Sequence, residues 1–149
     1  MTRKSTPKAR TAARHFALQA LYQWQMADDL PGTIEAQFRL EFDMEKADLD
    51  YFRELLHEVP NRVEELDALF SPALDRSVGS LSQIERVVLR MGTYDLLARI
   101  DIPYRVVINE SIELAKLFGA EGGHKYINGV LDKVAQQCRQ VELQARRKK

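Results

Sequence analysis

The 149-residue sequence contains one cysteine, Cys138, and only three histidines, His15, His57 and His124, spread along the chain. A lone thiol cannot close an internal disulfide, and no paired His/Cys spacing offers a zinc ligand set, so neither a disulfide framework nor a structural metal is expected. No apolar run is long enough to span a bilayer, and the polar first residues lack the apolar stretch of a secretion signal. The expectation is a soluble cytoplasmic protein without a membrane association. The glycine-rich phosphate loops of nucleotide-binding proteins are missing as well. Glu110 and Glu113 share a helix face, but no apolar pocket is implied around them, and they read as solvated surface. No catalytic residue and no cofactor is therefore expected.

A net charge is also lacking, because 22 basic residues balance 22 acidic ones. That balance hides a segregation. Residues 1–14 carry five basic groups and no acid, and residues 139–149 carry five against Glu142 alone. The stretch between them holds twelve basic and twenty-one acidic groups. Basic ends on an acidic body imply a local attraction for polyanions that the overall charge would conceal. Residues 1–10 read as a flexible basic N-terminus and 139–149 as a basic solubilising tail, with one helical domain over 11–138. Between Met26 and Asp67 thirteen acids face four bases, a surface that would repel nucleic acid.

What is present is helical periodicity. A first helix is predicted from between Lys8 and Ala12 to about Met26, with Ala13, Ala17, Ala20, Leu21 and Trp24 inward. Arg10 and Arg14 stand four apart, so their guanidinium groups are expected on one side, where they could hold phosphate in a bidentate way. Lys8 extends the same basic start. Pro31-Gly32 interrupts the chain, and Thr33 is the expected cap of a second helix containing Ile34, Phe38 and Phe42. A third begins near Asp48, with Pro60 as a kink ahead of Val63, Leu66 and Phe70. Pro72 and Gly79 punctuate the next connection, which divides an N-terminal half, to about residue 78, from a C-terminal half starting at about 79. Ser82-Gln83-Ile84-Glu85 has the form of a capping box, so a helix should start there. Val87, Met91 and Tyr94 line one side of it and Leu89, Gly92 and Leu96 the other, which implies either a central helix or a second, protein-binding face.

The stretch from Pro103 to Ala135 reads as two amphipathic helices joined by a glycine-rich turn, with Gly119 placed where a left-handed stop is expected. Lys116 and Phe118 close the first of these helices, and Lys125 and Tyr126 open the second. Interleaved cations and rings of this kind can bind single-stranded RNA through phosphate pairing and base stacking. Spacing alone equally allows Phe118 and Tyr126 to staple the hairpin together.

The strings NESIELAKLFG and HKYINGVLDK, with ALQALYQWQM, DYFRELLHEV and QIERVVLRMGTYDLL before them, resemble the NusB family of bacterial transcription antitermination factors, in order and over most of the chain from about Thr11. The resemblance implies an all-α fold of about seven helices in two packed halves. It implies a noncatalytic factor that binds boxA RNA of nascent ribosomal transcripts together with NusE, a small-subunit ribosomal protein, and meets RNA polymerase with other Nus factors, as a monomer or weak homodimer. It favours RNA contact at the hairpin tip and places Glu85 and Leu89 at the edge that holds NusE. A similar helical domain precedes the catalytic domain of some ribosomal RNA 5-methylcytosine methyltransferases. These 149 residues hold no cofactor-binding Rossmann segment, so the adaptor reading is the expected one.

Overall fold

A computed structural model describes residues 5–147. Arg3, Lys4, Lys148 and Lys149, and the side chains of Arg146 and Arg147, lie outside the described residues. Among the described residues the chain forms eight α-helices and two short 3-10 turns, without strands. It divides into two compact units, Met1–Arg62 and Val63–Lys149. The division falls at Arg62, ahead of the Pro72 to Gly79 connection where the punctuation had suggested it.

In the first unit, helix α1 (Pro7–Ala27) starts one residue ahead of the predicted range, because the Thr6 side chain accepts from the Ala9 N–H and Pro7 occupies the first helical position. Helix α2 (Pro31–Glu41) likewise begins at its proline, with Leu30 rather than Thr33 at the cap. Helix α3 (Leu49–Asn61) is capped by Asp48, which accepts from the Tyr51 N–H. Pro60 lies in the last turn of α3, and the helix breaks at Arg62 instead of continuing through a kink. Helix α1 packs against α3 and α2, burying Ala13, Ala17, Leu18 and Leu21. Phe38 and Phe52 stack with ring centroids 6.2 Å apart. Trp24, expected inward, is only half-buried.

Glu35 of α2 ties this unit together electrostatically. One carboxylate oxygen lies 2.6 Å from His57 Nε2 and the other 3.0 Å from Arg53 Nε. Burial by itself would push the Glu35 carboxyl up, but the His57 hydrogen bond and the Arg53 charge outweigh it and hold the group below its ordinary value. A depressed carboxylate stabilises the fold at pH above its unfolded value and loses that contribution as pH falls through the folded one. Glu35→Gln is expected to lose about 0.5–1 kcal/mol at neutral pH. In thermal melts at a series of pH values, the gap from the unsubstituted protein should close on acidification.

The second unit is built on α5 (Gln83–Ala98), preceded by α4 (Val63–Phe70) and followed by α6 (Tyr104–Phe118), α7 (Gly123–Cys138) and α8 (Gln140–Arg147). Helices α6 and α7 form the expected hairpin, and both pack on α5. All residues of α5 from Val87 to Leu96 are buried, so the helix is central and its second apolar side is core rather than a docking face. Arg90 within this run makes a two-pronged pair with Asp67 of α4, at 2.8 and 2.7 Å.

The C-terminal end departs most from its composition. Residues expected as a loose basic tail instead form α8, and Arg139, just ahead of it, is buried. All five of its N–H groups are used: Nε donates to the Leu96 carbonyl, Nη1 to Ile102 and to Glu142 Oε1, and Nη2 to Asp95 and Arg99. Glu142 in turn accepts from the Tyr104 N–H at the start of α6. One ion pair thus caps the end of α5 and the beginning of α6 together.

Candidate nucleic-acid interface

The basic start of α1 presents Lys8 as exposed and Arg10 as partly exposed, with Arg10 Nη1 donating to Ser5 Oγ at 2.9 Å. Arg14 does not join them. It is 3% exposed, its Nε donates to the Tyr51 hydroxyl at 3.1 Å, and its guanidinium lies 5.1 Å from the centre of the Tyr51 ring. The expected pair of phosphate-ready arginines is therefore reduced to Arg10. Spacing held the signal, since Arg14, Leu18 and Leu21 fall on one helical line, and that line is the buried one.

At the other candidate surface, the α6–α7 turn, Gly119 is extended, with φ −96° and ψ −177°, and not the left-handed stop its position suggested. A Cβ there would stand 2.8 Å from the Ala115 carbonyl oxygen, so glycine is required by close approach. The left-handed residue is Gly122, φ 82°, which precedes α7. Lys116 is exposed and pairs with Glu113 at 3.7 Å. Phe118 keeps about a third of its surface exposed. Lys125 is exposed on the first turn of α7.

Tyr126 is tied to the connection between α4 and α5. Its hydroxyl donates to Asp75 Oδ1 at 3.0 Å and accepts from the Asp75 N–H at 3.2 Å. The Arg76 guanidinium lies over the ring, 4.6 Å from its centre, and Arg76 Nε donates to Asp75 Oδ1 at 2.9 Å. The hydrogen bonds from Arg76 and then Tyr126 hold the Asp75 carboxyl below the usual aspartate range, so it is ionised at neutral pH. Partial burial, with the bond to Asp75 oxygen, pushes the Tyr126 phenol up. A cleft of about 230 Å³ beside the ring brings Lys125 and Lys133 alongside Asp75 and Tyr126. Sequence reading missed Asp75, Arg76 and Lys133 as members of this surface. The first two sit in a Pro/Gly-punctuated connection that reads as a seam, and nothing local pairs them with a residue some fifty positions later.

The two residues expected to meet a protein partner part company. Glu85 closes the capping box, donating its N–H to Ser82 Oγ and accepting from the Ser82 N–H, both at 3.1 Å. It also borders the hairpin turn, because a Cβ at Gly123 would stand 3.6 Å from Glu85 Oε2. Leu89 is fully buried and cannot present itself to a partner. Among the described residues no cluster of His, Cys, Asp and Glu could hold a metal ion, and no helix is long and apolar enough to cross a membrane.

The chain matches the family model of the NusB family over residues 11–136. It is 55% identical to the transcription antitermination protein NusB of Alcanivorax borkumensis, covering 99% of this chain and 98% of that protein. The fold is similar to that of T. maritima NusB, with TM-score 0.77, 30% identity and coverage of 95% and 99% of the two chains. It is also similar to a chain in a complex of antitermination factors NusB and NusE with dsRNA, with TM-score 0.74, 24% identity and coverage of 87% and 97%. The family model over most of the chain and a relative 55% identical across almost its whole length give one assignment: the chain belongs to the NusB family, a family of transcription antitermination factors and not of enzymes.

Proposed function

We propose that this chain acts in the cytoplasm as a noncatalytic adaptor of transcription antitermination, as a monomer or weak homodimer. It binds boxA RNA of nascent ribosomal transcripts jointly with NusE, and the assembly joins RNA polymerase with other Nus factors. The observation that carries the RNA reading is the hairpin surface, where Lys125, Tyr126 and Lys133 line one cleft. Cations there pair with phosphate while the ring offers a stacking face to an unpaired base, with Lys116 and Phe118 on the preceding helix end. Lys8 and Arg10 supply a separate basic element at the start of α1. The occurrence of the same fold beside NusE and RNA supports the choice of partners. Glu85, acidic and on a partly exposed capped turn, suits a basic ribosomal-type protein.

Titrating labelled boxA RNA against the protein alone and with NusE tests the reading. Tyr126→Ala is expected to weaken RNA binding by about 1–2 kcal/mol, with little change in melting temperature because the ring is only partly buried. NusE should tighten binding of the unsubstituted protein. RNA affinity that is the same with and without the ring, in both titrations, would overturn the assignment.

A further inference from the structure

We infer that Asp75 and Arg76 form a latch on the RNA surface: in the free protein Asp75 holds the Arg76 guanidinium over the Tyr126 ring, and RNA opens the pair by taking Arg76 as a phosphate contact. The inference rests on the proposed RNA role of Tyr126. It starts from occupancy. A base stacks on the face of an aromatic ring, and the Arg76 guanidinium lies over a face of Tyr126 at 4.6 Å. The hydroxyl edge is occupied as well, because Asp75 both accepts from it and donates to it. The surface as folded is thus engaged with its own chain.

The engagement is of a kind that yields. Asp75 and Arg76 are neighbours in sequence, in the connection between α4 and α5, and their side chains are 70% and 45% exposed. An exposed pair of this sort contributes little and is readily exchanged for another anion. A phosphate is that anion, since guanidinium meets it with the same planar fork that it offers a carboxylate. Once released from Asp75, Arg76 can swing off the ring face and turn its N–H groups to the backbone of the nucleic acid. Lys125 and Lys133, which line the same cleft, draw that backbone in. Asp75 opposes it twice: it competes for Arg76, and its negative charge faces the incoming phosphate.

Opposite effects are therefore expected from adjacent substitutions. Asp75→Asn keeps an oxygen for the Tyr126 hydroxyl and leaves the backbone N–H in place, yet removes the charge. It is expected to tighten boxA RNA binding about threefold at low salt. Arg76→Ala uncovers the ring but removes the contact, and is expected to weaken binding and to reduce the slope of log affinity against log salt by about one. The experiment is an RNA anisotropy titration of the full chain at several salt concentrations, with Tyr126→Ala and thermal melts alongside. Unchanged or weaker binding by folded Asp75→Asn would overturn the latch, and so would unchanged or tighter binding by folded Arg76→Ala. If Tyr126→Ala itself binds as well as the unsubstituted protein, the RNA role of the ring fails instead. Loss with Tyr126→Ala but no effect of either neighbour leaves the ring as a contact and rejects the latch alone.

Discussion

Arg139→Ala is expected to destabilise the second unit by about 3–5 kcal/mol, the range for breaking a buried ion pair from one side. The side chain it removes satisfies the carbonyls of Asp95, Leu96, Arg99 and Ile102 and pairs with Glu142. Truncation leaves the last carbonyls of α5 without their buried donor and Glu142 without its cation. Arg139→Lys should recover little of the loss, because an ammonium has three donors on a point charge and cannot span five acceptors in a plane. Urea unfolding gives the magnitude. Amide exchange should report early opening at the end of α5 and the start of α6, where Glu142 accepts from Tyr104. Stability of Arg139→Ala within 1 kcal/mol of the unsubstituted protein, roughly the scale of a surface substitution, would show that water replaces the guanidinium without penalty.

Gly92→Leu is expected to be nearly as damaging, at about 3 kcal/mol, through overpacking. A Cβ at Gly92 would already stand 2.9 Å from Leu131 Cδ1 and 2.9 Å from Ser111 Oγ. Neither neighbour can withdraw easily: Leu131 is fully buried, and the buried Ser111 hydroxyl donates to the Val107 carbonyl at 2.8 Å. Gly92→Ala should fall well short of this loss, since a better helix former returns about 1 kcal/mol against the strain of a single methyl. The ordering of glycine, alanine and leucine in urea midpoints, at constant slope, checks the argument. A leucine variant as stable as the alanine one would mean that α6 and α7 give way without resistance.

Some signals confined to one helical turn were legible in the sequence, whereas the Thr33 cap and the left-handed stop at Gly119 were not met. The Ser82 to Glu85 capping box and the helix start near Asp48 are local patterns, and both occur where they were read. The apolar stripes of the α6–α7 hairpin also suffice, because each helix carries its own buried line. Long-range partners were not legible. Arg139 stands at the head of a basic run, and the carbonyls it binds belong to residues 95–102, so composition pointed to a tail. The line that Arg14 shares with Leu18 and Leu21 hinted at its burial, but the Tyr51 ring that receives it comes from α3 and left no local trace. Leu89 was ambiguous for a physical reason: a helix apolar on every side has the same pattern whether its far side meets a partner or its own core. At the hairpin surface, sequence supplied Lys125 and Tyr126 but not the Asp75-Arg76 pair laid across the ring.

The burial of α5 from Val87 to Leu96 has a consequence for genetics. A ligand has almost no access to those ten residues, so a substitution there acts mainly on how many molecules are folded and little on the affinity of each folded molecule. In a cell the two defects look alike, since halving the folded population or halving its affinity both reduce complex formation. Screens for lost antitermination will therefore collect α5 variants in numbers and map them as a recognition helix, unless signal is divided by the amount of folded protein. After that correction, the part of α5 that still registers should be its capped first turn, at Glu85.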